Sequence, residues 1–113
     1  MDSENCRYKL LHFSSFGEVG LCLSCGCLRV EIGILLAVLS KETFELILED
    51  LVDSRVYYFE DLDEDEIPEK VNIFLNDNNL FLNLTLDELD ELIELFEIAR
   101  HMLEVNEILD CCK

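Results

Sequence analysis

The chain has 113 residues, half of them hydrophobic, which is one domain's worth and enough to close a single modest core. Its 26 acidic residues against 8 basic ones give a formal charge of −18, so phosphate backbones and anionic membrane surfaces repel most of this surface. Direct nucleic-acid and membrane binding are therefore not expected, whereas solubility and attraction to basic partners are.

The start, MDSENCRYKLL, places acidic residues before its first basic one and carries no apolar stretch of signal-peptide type. The longest apolar run, Ile32 to Leu39 with Gly33 inside it, is far below the roughly 20 residues that cross a bilayer. The expected compartment is cytoplasmic, where the six cysteines stay reduced rather than forming disulfides.

Three runs in the first third read as extended, Arg7 to Phe13, Glu18 to Leu23 and Leu28 to Leu39, each bounded by Ser, Gly or Cys-Gly turn material. The third alternates Val30, Ile32 and Ile34 before becoming continuously apolar, the pattern of a central strand. Together they predict a strand meander over 1–39 with a cysteine-rich turn. A helix over 40–54 follows, N-capped by Ser40, with Phe44, Leu46 to Leu48 and Leu51 as its buried stripe. Val56 to Phe59 has strand propensity and is expected to be extended. Residues 60–69 form an acidic loop, because clustered like charges repel and Pro68 withholds a backbone donor.

Residues 70–84 read as a hairpin, two strands joined by Asn76-Asp77-Asn78-Asn79, residue types that tolerate tight-turn geometry. Thr85-Leu86-Asp87-Glu88 is a capping box, the threonine hydroxyl meeting an early helix amide while Glu88 reaches back to the Thr85 amide. It opens a long helix over 85–110, with Asp87, Glu88, Asp90 and Glu91 at the end where the helix dipole favours acids. A weak repeat relates VLSKETFELILEDL to NLTLDELDELIELF, aligning Ser40 with Thr85 and Phe44 with Leu89. It fits either duplication or the common needs of any strand-to-helix junction. The fold class expected is α+β: residues 1–113 as a single domain, a mainly antiparallel sheet of about five strands with two helices packed on one face, divisible into two ββα-like halves.

The chemistry-bearing residues are few. Cys22-Leu23-Ser24-Cys25-Gly26 has the C-x-x-C-G form of a zinc knuckle, in which the glycine allows a tight turn beneath the metal. This is half a site. Cys6 and His12 are the first candidates for the other half, but a straight strand holds them roughly 20 Å apart, and Cys27, Cys111 and Cys112 are substitutes. Three readings stay open: structural zinc, buried reduced thiols at a strand turn, and redox chemistry, the last disfavoured because strands rather than a helix N-terminus flank the motif. A Cys25–His12 nucleophilic pair lacks an oxyanion loop and an orienting acid, and with only His12 and His101 in the chain no enzyme activity is expected. The alternate acids Asp61, Asp63 and Asp65 fail the calcium-loop pattern, which needs Gly where Glu66 stands and Glu where Asn72 stands.

The long helix has two apolar stripes. Leu89, Leu92, Ile93, Phe96, Ala99 and Leu103 make one, and Leu95, Ile98, Met102, Val105 and Leu109 make a second with two heptads of coiled-coil spacing. One stripe covers the sheet. The second is expected to meet a protein partner or a second copy of the chain, unless the first helix or the C-terminal tail covers it.

His12, Gly17, Cys22, Cys25, Gly33, Ser40 and Phe44 together set out a His, G-x-x-x-x-C-x-x-C, a strand, a Gly, an apolar run and S-x-x-x-F. This arrangement resembles small proteins of Bacteroidetes bacteria whose function is unknown, over about the first fifty residues. The resemblance implies a cytosolic accessory domain and groups His12, Cys22 and Cys25 as a related set. The function expected is that of a small acidic protein-interaction or accessory domain with a structural zinc knuckle as an option. An acidic charge mimic that competes with nucleic acid for a basic protein is the alternative, and a thiol-dependent enzyme a more distant one.

Overall fold

A computed structural model describes residues 7–59, 69–75 and 80–111. The chain order is β1 (Tyr8–Phe13), β2 (Glu18–Cys22), β3 (Leu28–Ile32), β4 (Leu35–Leu39), α1 (Lys41–Phe59), β5 (Val71–Leu75), β6 (Leu80–Leu84) and α2 (Leu86–Cys111). β1 to β4 form an antiparallel four-stranded sheet in sequential order, and β5 with β6 form a separate two-stranded one. The fold is α+β as expected, with six strands in two sheets among the described residues instead of about five in one. The acidic loop, Asp61, Asp63 and Asp65 within it, the 76–79 turn, Cys6 and Cys112 lie outside the described residues.

The third apolar run is two strands, not one. Gly33 sits at φ +57, a left-handed conformation open to glycine and costly for Ile or Leu, so the chain reverses there and Ile32 pairs with Leu35. The predicted strand at Val56–Phe59 is helical. Phe59 lies four turns along α1 from Phe44, on the face that buries Ile47, Leu48 and Leu51, and this burial outweighs local β-propensity. Arg55, one turn earlier, places its guanidinium 5.9 Å from the Phe59 ring centre. Leu46, expected in the stripe, is exposed.

Both helix starts are capped as their sequences require. The Thr43 amide donates to Ser40 Oγ at 3.1 Å, and the Glu88 amide donates to Thr85 Oγ1 at 3.1 Å. Only the second is a full box, since Glu88 Oε1 accepts from the Thr85 amide at 2.9 Å. The two junctions stand 45 residues apart, and the same offset carries β4 onto β6 and the start of α1 onto the start of α2.

The core forms where both helices cover one sheet face. Cross-strand register places Leu21 beside Leu28 and Val19 beside Val30, all buried, with Leu11 from the irregular end of β1. α2 lies against β1 and β2, while α1 lies against β4 and β5. Between the helices, the rings of Phe44 and Phe96 stack with centroids 4.5 Å apart and planes 3° from parallel. Lys41–Glu107, Arg55–Asp90 and Arg100–Glu45 also join α1 to α2, at 2.6, 2.7 and 3.6 Å. These pairs are largely solvent-exposed and worth about 0–1 kcal/mol each, so apolar burial, at roughly 1.5–3 kcal/mol per large side chain, dominates the helix pairing.

Candidate functional site

The cysteine turn follows from the hydrogen-bond needs of a strand end. The Cys22 amide donates to the Cys27 carbonyl at 2.8 Å, the Gly26 amide to the Cys22 carbonyl at 2.9 Å, and the Leu23 amide to the Arg7 carbonyl at 2.8 Å. Gly26, at φ +79, supplies the left-handed step that closes the turn. Within it the Cys25 amide points at Cys22 Sγ at 3.5 Å. Cys22 is buried at 1% exposure, Cys27 half-buried and Cys25 exposed, and no disulfide joins these three.

The electrostatics of Cys25 oppose nucleophilic use. The Cys27 amide, hydrogen-bonded to the Cys25 sulfur, lowers its pKa, but the adjoining Cys22 and Cys27 thiols and desolvation outweigh it and push the thiol up to about 11. Cys25 is therefore protonated at neutral pH, the less reactive state of the group.

His12 does not join the turn. It pairs with Val19 at the irregular end of β1, while Cys22 pairs with Tyr8, which separates the two positions by about 10 Å along the sheet with Cys25 further away still. The strand register thus does not bring His12 beside Cys22. Cys111 ends α2, and its side chain is outside the described residues. Among the described residues no three of His, Cys, Asp and Glu form a group that could hold a metal ion.

On α2 the second stripe divides. Leu95 is buried at 1% exposure and belongs to the core, because α1 and the sheet cover α2 from two sides. The structure thus places Leu95 in the core and not on the outer face of α2. Ile98 and Val105 are half-buried, Met102 and Ile108 are exposed, and the Leu109 side chain is outside the described residues. His101 is exposed on the same helix.

Two surface features escaped the sequence reading. The first is the open side of β4. Ile34 is fully exposed at the turn, Leu36 and Val38 are 49% and 58% exposed on the outer face, and Leu35 is 40% exposed on the inner one. Among the described residues nothing pairs with the outer edge of β4. Beneath it lies a cavity of about 290 Å³ walled by Leu35, Ala37 and Leu39 of β4 and Leu82 and Leu84 of β6, with Leu92 and Phe96 of α2 at its floor. Every described side chain lining it is apolar. Gly33 was the available signal: reading it as a turn makes Leu35–Leu39 a strand with hydrophobic residues on both faces.

The second is a polar cluster on the outer sheet face, where Glu18 and Glu31 pair across β2 and β3 beside Arg29 and Tyr8, around a depression of about 200 Å³ over Gly20. The hydrogen bond that the protonated Glu18 carboxyl donates to the Glu31 carboxylate raises the Glu18 pKa above its ordinary value, with desolvation and the Glu31 charge adding to it and Arg29 countering. Arg29 bonds Glu31 at 3.2 Å and stands 5.4 Å from the Tyr8 ring centre. The cross-strand register that brings Glu18 to Glu31 is not visible in either strand alone. No described helix is long and apolar enough to cross a membrane. Comparison of the chain with family models, with curated proteins and with solved structures finds no match.

Proposed function

We infer that this chain is a protein-interaction domain whose partner-facing surface is the open side of β4. The observation that carries the reading is an edge strand, Leu-Leu-Ala-Val-Leu, with exposed apolar residues on both faces and no charge, proline or bulge to blunt it. Soluble proteins protect such edges unless they use them. Affinity capture compared between the native chain and Leu36→Lys/Val38→Lys tests it. Proteins retained only by the native chain support the reading, and identical retention by both removes it.

Self-association through α2 is the second reading, supported by the exposure of Met102 and Ile108 beside half-buried Ile98 and Val105. Light scattering decides it: a dimer dissolved by Met102→Lys supports it, and a monomer unchanged by the substitution ends it. The acidic charge mimic rests on the −18 charge and is tested by salt, since its affinity for a basic partner falls steeply with ionic strength. At the cysteine turn, hydrogen-bonded reduced thiols are the primary reading. Structural zinc on Cys22 and Cys25 is supported by the amide directed at Cys22 Sγ and by the left-handed Gly26, and needs ligands from outside the described residues. Stoichiometric metal lost in Cys22→Ser/Cys25→Ser establishes zinc; metal-free protein purified under reducing conditions establishes thiols.

A further inference from the structure

The geometry points to strand addition at β4, with an extended peptide that has apolar residues at alternate positions and lysine or arginine at its flanks as the occupant. This rests on the reading of the β4 side as the partner surface, and it specifies the mode and the chemistry. Three observations converge. The first is backbone: among the described residues β4 pairs only with β3, so its other side offers a row of amides and carbonyls to a strand laid alongside.

The second is the apolar cavity between β4 and β6. A strand added beside β4 continues the sheet, and its period-two alternation turns every second side chain to the inner face, over the space walled by Ala37, Leu39, Leu82 and Leu84. A helix laid on the same edge leaves the β4 backbone groups unpaired. The third is charge. Among the described residues Arg29, Lys41, Arg55 and Arg100 are already paired with carboxylates and Lys9 with Asn106, and the chain as a whole carries 26 acids against 8 basic residues, so its net field attracts cations. A second copy of the chain brings a further −18 to the contact, whereas basic flanks are drawn toward it.

The test uses the full chain and the fluorescein-labelled peptide Lys-Lys-Val-Thr-Ile-Thr-Val-Lys-Lys, followed by fluorescence anisotropy at low and moderate salt. Four comparison arms accompany it: the peptide N-methylated at alternate residues, in either register; the peptide with glutamate flanks; the Ala37→Trp protein, whose indole fills the cavity; and light scattering of the protein alone. Expected are binding of the parent peptide that weakens as salt rises, a loss on the order of tenfold or more on N-methylation of the edge-facing amides, and no binding by the glutamate-flanked peptide or by Ala37→Trp. Equal affinity for both N-methylated peptides overturns strand addition but leaves β4 as an interaction surface. A dimer that Leu36→Lys breaks and the peptide does not compete with makes a second copy the occupant and overturns the proposal. Absence of binding in every arm also overturns it, and the interaction reading falls as well only if the capture comparison of native chain with Leu36→Lys/Val38→Lys shows no difference. The N-methylated arms need no variant, so a misfolded Ala37→Trp leaves the test decisive.

Discussion

Replacing Phe44 and Phe96 singly and together measures what joins the two helices. Phe44 is 1% exposed and Phe96 3%, so truncation of either to alanine removes a fully buried ring and leaves a cavity, a loss of about 3–5 kcal/mol. Against the ~5–15 kcal/mol that holds a domain of this size, this lowers the melting temperature by ~12–20 °C. Leucine at each position retains much of the buried volume while removing the stacked contact, so the cycle Phe44→Leu, Phe96→Leu and both together isolates the ring–ring contribution. The parallel stack at 4.5 Å predicts a coupling of about 0.5–1.5 kcal/mol, the double variant losing less than the sum of the singles. Urea denaturation followed by far-UV circular dichroism supplies the free energies. Additivity within about 0.3 kcal/mol refutes the claim that the stacked pair, rather than generic apolar area, fixes how α1 meets α2.

Thr85→Ala removes the hydroxyl that caps α2 and costs about 1 kcal/mol in denaturant titrations, with Thr85→Ser recovering most of it. Gly17→Ala places a methyl 2.4 Å from the Glu31 carbonyl oxygen, so the β1–β2 turn must withdraw from β3; a loss of about 1–3 kcal/mol is expected in the same assay, and a neutral result contradicts that close approach. Melting temperature against pH separates two carboxylates of opposite sign. The Thr85 amide holds the Glu88 pKa below its ordinary value, so the stability it contributes is present above the ordinary carboxylate range and is lost as pH falls through the lowered folded value; Glu88→Gln removes this acid-side loss. Glu18, raised by Glu31, favours the folded state most when protonated, and its contribution falls as pH rises through the raised folded value; Glu31→Gln reduces that dependence.

What could be read from the sequence is what short-range chemistry decides. The Ser40 and Thr85 caps each act within a few residues, and the β5–β6 hairpin is announced by an Asn-rich turn between two apolar runs. The cysteine turn was legible as a turn for the same reason, since Gly26 and the Cys22 carbonyl lie one turn apart. Long-range burial decided the rest. Val56–Phe59 became helix because Phe59 reaches the core, and Leu95 left the surface because α2 is covered from two sides. The irregularity between Leu10 and His12, together with the register that puts His12 opposite Val19, was invisible without the neighbouring strand. Reading residues 28–39 as a single strand hid the open side of β4, and with it the best candidate surface.

The bond from Lys9 Nζ to Asn106 Oδ1, 2.6 Å long, joins residues 97 apart in a chain whose other sheet pairings connect sequential strands. Each hairpin can close by itself at small entropic cost, but α2 meets β1 and β2 only after the elements between them have been made. During synthesis Leu11, Val19 and Leu21 emerge before α2 and wait for a cover encoded downstream of α1 and the β5–β6 hairpin. Docking of α2 is thus the step that ends exposure of the first hairpin, and chains stalled before it carry a sticky inner face in addition to the open β4 edge. The order of translation makes α2 the guardian of the four-stranded sheet that precedes it.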